Sequence, residues 1–256
     1  MKDVIVELSR ADGVAVLTLK SPPVNALSAS LVCALHAALD SVEGDGDTCV
    51  LLVRSALKVF CAGADLAEMR ANLARPDLID KQIASVREMQ RILKRLEFLP
   101  LTTVSEIGGA AVGGGLELAL ACDFRVAASE AKLGLPECGL GLIPGAGGTQ
   151  RLTALCGAAI SKRLILGAEV LDGATAVALG LAHWSKPRVE LAGFVADLTG
   201  RLAKIPRAAA AAAKSCIAAY FDPARNGYEE ELERTRELLL DEPARARVDA
   251  FLSQNR

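Results

Sequence analysis

Val4 to Leu8 and Val14 to Leu19 alternate apolar with polar positions on either side of Asp12-Gly13. A period of two around that dipeptide predicts a β-hairpin. Ser28 to Leu39 switches to helical spacing behind a capping serine, and Cys49 to Val53 is a short unbroken apolar run of the kind that forms a buried strand. Lys81 to Leu99 carries Ile83, Val86, Met89, Leu93 and Leu96 on one stripe and stops at Pro100, which predicts a long amphipathic helix. Thr102 to Ile107 then reads as a strand, Gly113-Gly114-Gly115 as a loop, Leu116 to Cys122 as a helix and Phe124 to Ala127 as another strand.

Beyond about residue 135 the strand signals nearly vanish. Helical spacing recurs over Thr149 to Cys156, Ile160 to Leu166, Asp172 to Leu179, Val189 to Lys204, Pro206 to Tyr220, Gly227 to Leu240 and Pro243 to Leu252. The alanine run from Ala208 to Ala213 is a strong helix former rather than a disordered tract. No solenoid repeat is visible. The pattern predicts a mixed α/β core over 1–190 and a helical C-terminal region over 191–256, which packs on its own core or against a partner.

The balance of residues narrows the function. The 256-residue chain sets 29 Lys and Arg against 31 Asp and Glu and holds only 6 Phe, 1 Trp and 2 Tyr. A nucleic-acid binder would show a basic footprint and aromatic stacking platforms, so none is expected as a partner. Met1 to Lys20 carries charges at positions 2, 3, 7, 10, 12 and 20, unlike a signal peptide. The longest uncharged stretch, Ser21 to Leu39, is too polar to span a bilayer. Seven cysteines without a CxxC pair suggest free thiols in a reducing compartment, and the cytoplasm is the default. His36 and His183 stand isolated, which leaves a metal site or a Ser-His-Asp triad poorly supplied. No metal is expected.

Ala110 to Cys122 holds one charge, Glu117. A carboxylate is expensive to bury, so an acid in an apolar helical turn either complements the helix dipole, worth ~0.3–1 kcal/mol, or has a chemical task. The three glycines before it tilt the balance, because backbone N–H groups at the head of a helix form an anion socket. No Lys-Ser/Thr follows as a P-loop requires, and Gly139-Leu140-Gly141 does not complete a GxGxxG. A single developing negative charge, as in an oxyanion hole, fits instead. Phe60 to Leu66 reads as a second strand-to-helix turn in which Asp65 can cap the helix, bind a ligand, or both. Glu137 is again an isolated acid, in a loop running to Gly148 whose glycines, prolines and apolar residues suit a rigid wall.

Taken together, Pro23 to Leu27, Phe60 to Leu66, Gly113 to Asp123, and Pro136-Glu137 through Gly145-Ala146-Gly147-Gly148-Thr149-Gln150-Arg151-Leu152 resemble, in order and spacing, the motifs of the crotonase (enoyl-CoA hydratase/isomerase) superfamily. The resemblance covers almost the whole chain. It implies a ββα superhelix with a helical C-terminal region, assembled as a homotrimer or homohexamer. It assigns the oxyanion hole to the N–H groups of Ala64 and Gly114, and the hydratase carboxylates to Glu117 and Glu137. The CoA part of an acyl-CoA substrate is expected along Ala62, Asp65, Leu66 and Ala67, with Lys58 near the nucleotide and Gly145 beside the water. Lys58 reads equally well as a solvated loop charge. No cofactor beyond that CoA is implied.

Several departures qualify the resemblance. Ala67 replaces a common lysine, and Phe251 to Arg256 lacks a basic-aromatic tail, so grip on the CoA phosphates is expected to be weaker or supplied otherwise. Leu133 and Leu135 replace Phe and Gln, predicting a more apolar acyl pocket, while Glu106 and Gly108 replace Ala and Asn. Hydration of a 2-trans-enoyl-CoA is the leading expectation. A Δ3-Δ2 enoyl-CoA isomerase, or a pathway-specific hydratase, follows. Balanced charge weighs against an RNA-binding scaffold, two retained glutamates against a non-catalytic one, and the lack of a nearby histidine against a hydrolase.

Overall fold

In the computed structural model, which describes residues 4–254, Asp12 and Gly13 take left-handed backbone conformations, with φ of 50° and 76°. That pair of positive angles is the tight hairpin turn expected between β1 (Val6–Ala11) and β2 (Val14–Leu19). Met1 to Asp3, and Asn255 and Arg256 at the end of the tail noted above, lie outside the described residues.

Ser28 caps α1 (Ala29–Glu43) by accepting the Leu31 amide, and the helix buries Leu31, Leu35, Leu39 and Val42. β3 (Val50–Ser55) follows, with Val50, Leu51, Leu52 and Val53 all buried because both of its faces are covered. The chain then repeats one unit three times. A long strand enters the main sheet, a short one enters a second sheet, and a helix closes the turn. The first unit is β3, a single bridge at Cys61, and α2 (Leu66–Leu73) with α3 (Ile79–Glu97). The second is β4 (Thr102–Ile107), β5 (Ala111–Val112) and α4 (Gly114–Leu120). The third is β6 (Phe124–Ala128), β7 (Lys132–Gly134) and α5 (Gly148–Leu166), with a 3-10 turn at Pro136–Leu140 between strand and helix.

The chain completes with β8 (Val170–Asp172), α6 (Gly173–Ala178), β9 (Trp184–Lys186) and four helices, α7 (Arg188–Leu202), α8 (Arg207–Ala219), α9 (Gly227–Leu240) and α10 (Glu242–Gln254). The main sheet runs β1-β2-β3-β4-β6-β9 and is parallel beyond the hairpin, while β5-β7-β8 form the second sheet.

Three sequence expectations change. The short strands β5, β7, β8 and β9 were not foreseen, since two or three residues carry no readable period. The α3 stripe is buried only from Met89 onward, and Ile83 is 52% exposed. The C-terminal helices, left open between their own core and a partner, divide. α7 buries Leu191, Val195 and Leu198 against the main sheet, and α8 is tied down by Lys214 to Asp123 Oδ2 and the Leu101 carbonyl, at 2.8 and 3.0 Å. α9 contributes no buried residue and leaves Leu232 and Leu239 each 65% exposed. No helix among the described residues is long and apolar enough to cross a membrane.

Candidate active site

The turn after β3 is laced by the Pro23 to Leu27 segment. Asn25 is fully buried with φ 51°, and its Nδ2 donates to Ser55 Oγ at 2.8 Å and to the Phe60 carbonyl at 2.9 Å. Cys61 Sγ donates to the Asn25 carbonyl, Ala62 N–H to Val24, and Leu27 N–H to Gly63. Burial pushes the Cys61 thiol up to about 12, so it packs and bonds without acting as a nucleophile. Ala64 follows this laced turn, and among the described residues no protein acceptor takes its N–H.

Gly113 adopts φ 55° and leads into α4, whose first residue, Gly114, presents one of the unpaired amides of a helix start. A Cβ on Gly114 would lie 3.5 Å from Ala64 N, and one on Gly63 would lie 2.8 Å from Gly114 N. The two amides therefore border one small gap. Gly115 has a different reason to be glycine, because a Cβ there would overlap the Cys61 carbonyl.

One turn into α4, Glu117 is 2% exposed, and its Oε1 accepts from Ala146 N at 2.8 Å and Gly148 N at 2.7 Å. Burial raises its pKa, opposed by those two amides and by the charge of Arg151. Its Oε2 has no protein donor among the described residues. Glu137 comes from the 3-10 turn, and an ideal Cβ on Gly113 would sit 3.0 Å from its Oε1. Its Oε2 is buried with no hydrogen-bond partner. Burial pushes its pKa up to about 7, opposed by its own backbone N–H and aided to a smaller degree by the nearby Glu117 charge. The two acids are thus unequal. Glu117 has its charge compensated by amides, and Glu137 favours its proton.

The structure brings Ala62, Ala64, Gly114, Glu117, Glu137 and Gly145 into one neighbourhood around the Gly113 turn and the 144–148 loop. Asp65 spends its Oδ1 on the Ala67 and Glu68 amides as the cap of α2, the bland alternative seen in the sequence. Lys58, Leu66 and Ala67 are exposed on that turn and helix. Leu133 and Leu135 are fully buried, and Leu135 packs at the Gly148 contact with Glu117. Glu106 belongs elsewhere. It lines a cavity of about 440 Å³ between β2 to β4 and α7 that contains neither glutamate of the pair.

Sequence reading missed Asn25, Gln90 and Arg151 as organisers of the site, although Asn25 and Arg151 fall inside quoted motifs. Their effect runs through backbone atoms of distant segments, which leaves no local signature. His183 accepts the Arg125 amide on Nδ1 and is depressed to about 4 by burial, so it supplies no base to the site. No cluster of three or more potential metal ligands occurs among the described residues.

A ββα spiral that sets two amides bordering one gap close to two unlike acids is the arrangement expected of the crotonase-like class. Residues 9–252 match the enoyl-CoA hydratase/isomerase family, and the chain belongs to it. A probable enoyl-CoA hydratase of Bacillus subtilis is 35% identical over 245 residues, covering 95% of this chain and 93% of its own. The human mitochondrial methylglutaconyl-CoA hydratase is 45% identical over 158 residues, or 61% of this chain and 45% of that protein. The chain spans about half the length of that relative and its mouse and rat counterparts. Among solved structures, an enoyl-CoA hydratase of Geobacillus kaustophilus superposes with a TM-score of 0.91 at 30% identity, covering 99% of this chain and 96% of that one. Pseudomonas aeruginosa DspI gives 0.91 at 32% identity with the same coverage. The fold is the crotonase-like superhelix that the motifs implied.

Proposed function

We propose that this protein is an enoyl-CoA hydratase that adds water across the double bond of a 2-trans-enoyl-CoA to give a (3S)-3-hydroxyacyl-CoA. The observation that carries this reading is the inequality of the paired acids. Glu117 Oε1 holds two amide donors, whereas the buried Oε2 of Glu137 has none. Glu117 is the general base and Glu137 the general acid.

In the reaction, Glu117 takes a proton from water as the water oxygen bonds to C3. The π electrons of the double bond move toward C2 and the thioester oxygen, where the amides of Ala64 and Gly114 receive the developing charge. Glu137 delivers its proton to C2. Both acids then return to their starting states through solvent. Each such amide donor commonly contributes ~10²–10³ in rate. Gly145 lies beside the water, and Lys58, Ala62, Asp65, Leu66 and Ala67 run along the CoA. The step needs no cofactor beyond the CoA of the substrate.

The similarity to methylglutaconyl-CoA hydratases favours, as a second reading, a methyl-branched dicarboxylic acyl group. Apolar residues exposed on the last helices, such as Leu232, Leu239 and Leu240, support assembly as a homotrimer or homohexamer. Seven unpaired thiols suit a reducing compartment, which we take to be the cytoplasm.

The test follows loss of the conjugated double bond of crotonyl-CoA by absorbance with wild type, Glu117→Gln and Glu137→Gln. Each variant is expected to lose ~10²-fold or more in kcat. Near wild-type turnover in either removes that residue from the mechanism. Faster turnover of a 3-enoyl-CoA than of crotonyl-CoA would make the protein a Δ3-Δ2 isomerase instead.

A further inference from the structure

The loop that supplies Glu117 with its amides is itself held at three consecutive peptides, two by side chains and the third by the first turn of α5. The 145–146 peptide receives Gln90 Nε2 on the Gly145 carbonyl at 2.7 Å while its N–H binds Glu117. The 146–147 peptide receives Arg151 Nη1 on the Ala146 carbonyl at 2.9 Å. The 147–148 peptide accepts the Arg151 backbone N–H on the Gly147 carbonyl at 2.9 Å and donates the Gly148 N–H to Glu117. The Arg151 guanidinium is anchored in turn, with Nε and Nη2 on Glu97 Oε2 at 3.0 and 2.8 Å, and its side chain is 13% exposed. Gly147 has φ 104°, and any Cβ there would overlap Arg151 Nη1. The left-handed φ is what asks for glycine at 147, and the space beside it is filled by the end of the arginine side chain.

We propose that Arg151, anchored on Glu97 at the end of α3, is a positioning residue for the general base, fixing the loop so that the Ala146 and Gly148 amides converge on Glu117 Oε1 and Oε2 is left for the reacting water. This assignment rests on the hydratase reading. The arginine acts in two ways. Its planar fork spans the Ala146 carbonyl and Glu97 at once, a geometry that a lysine point charge cannot reproduce. Its permanent charge also favours the ionised form of a carboxyl that burial drives toward protonation. A simple staple between α3 and α5 would explain the Glu97 contact but not the grip on the Ala146 carbonyl.

The experiment compares wild type, Glu117→Gln, Arg151→Lys, Arg151→Met and Glu97→Gln. Each is assayed on crotonyl-CoA across pH, and the Glu117 carboxyl is followed by carbon NMR in protein carrying labelled glutamate. Arg151→Met is expected to lower kcat by ~10- to 100-fold, as a small misplacement of a catalytic group does. The acidic limb of kcat/KM and the Glu117 titration should both move to higher pH, because one influence favouring the carboxylate is gone. Arg151→Lys should restore much of the pH position but little of kcat. Glu97→Gln keeps the arginine, tests its anchor, and carries the case if Arg151→Met does not fold.

An unmoved limb and an unmoved Glu117 titration in Arg151→Met overturn the proposal, as does wild-type kcat in Glu97→Gln where Arg151→Met does not fold. Failure of wild type to hydrate crotonyl-CoA, or full turnover in Glu117→Gln, overturns the hydratase reading instead, and the NMR titration still decides the role of Arg151.

Discussion

Gly148 donates its amide to Glu117 Oε1 at 2.7 Å, and an ideal Cβ at position 148 would lie 2.9 Å from that same oxygen. The hydrogen bond and the missing side chain are one feature, because the amide can approach the buried carboxylate only where nothing projects beside it. Gly148→Ala forces either the loop or the carboxyl to move, which weakens a charge-assisted bond and leaves the acid less compensated. We expect kcat on crotonyl-CoA to fall at least ~10-fold, with the acidic limb of kcat/KM moving to higher pH. A variant with wild-type turnover and an unshifted pH profile would show that this bond is dispensable.

The two glutamates also make a prediction about stability. Glu137 has its folded-state pKa raised from 4.5 to about 7, so folding favours its protonated form. Its stabilising contribution is complete below the unfolded value and is lost as pH rises through about 7. Glu137→Gln, neutral at every pH, removes that loss. The melting temperature of the variant should therefore gain on wild type as pH rises from 4.5 to about 7, the window bracketed by the unshifted and shifted values, and level off above it. Parallel curves for the two proteins across this window would refute the burial of Glu137 as a neutral acid.

Asn25 links the N-terminal segment to the amide turn through Ser55 and the Phe60 carbonyl, and its Oδ1 accepts the Ser21 N–H at 2.8 Å. Asn25→Ala leaves buried polar groups unpaired and places alanine at φ 51°, a left-handed conformation that asparagine tolerates better. A loss of roughly 2–4 kcal/mol in urea unfolding follows. Because the same turn carries Ala64, kcat should fall with it. Asn25→Asp retains the acceptor on Ser21 and should recover part of the stability and less of the rate. Wild-type rate in Asn25→Ala would separate the lacing from the amide it is placed to orient.

The local order of the chain was readable wherever an element is long enough to show a period. The hairpin at Asp12-Gly13, the capped start of α1, the break in α5 at Gly157 (φ 78°, ψ 166°) between two expected helices, and the alanine-rich α8 all lie where spacing and turn chemistry put them. The glycine triplet and the isolated acids at 117 and 137 were visible too, because burial cost makes a lone charge among apolar residues conspicuous.

Tertiary structure decided the rest, because those features arise between segments far apart in the chain. Strands of two or three residues such as β5 and β7 exist only because a neighbouring backbone supplies their hydrogen bonds. The difference between two chemically identical carboxyls depends on which amides reach them: Glu117 meets two from a loop some thirty residues away, and Glu137 meets none at its buried oxygen. Arg151 reads in the sequence as one more charge on a helix, and only the folded loop turns it toward the Ala146 carbonyl and Glu97. Spacing along the chain determined which groups were present, and the three-dimensional packing of backbone donors determined which of the two acids has its burial compensated.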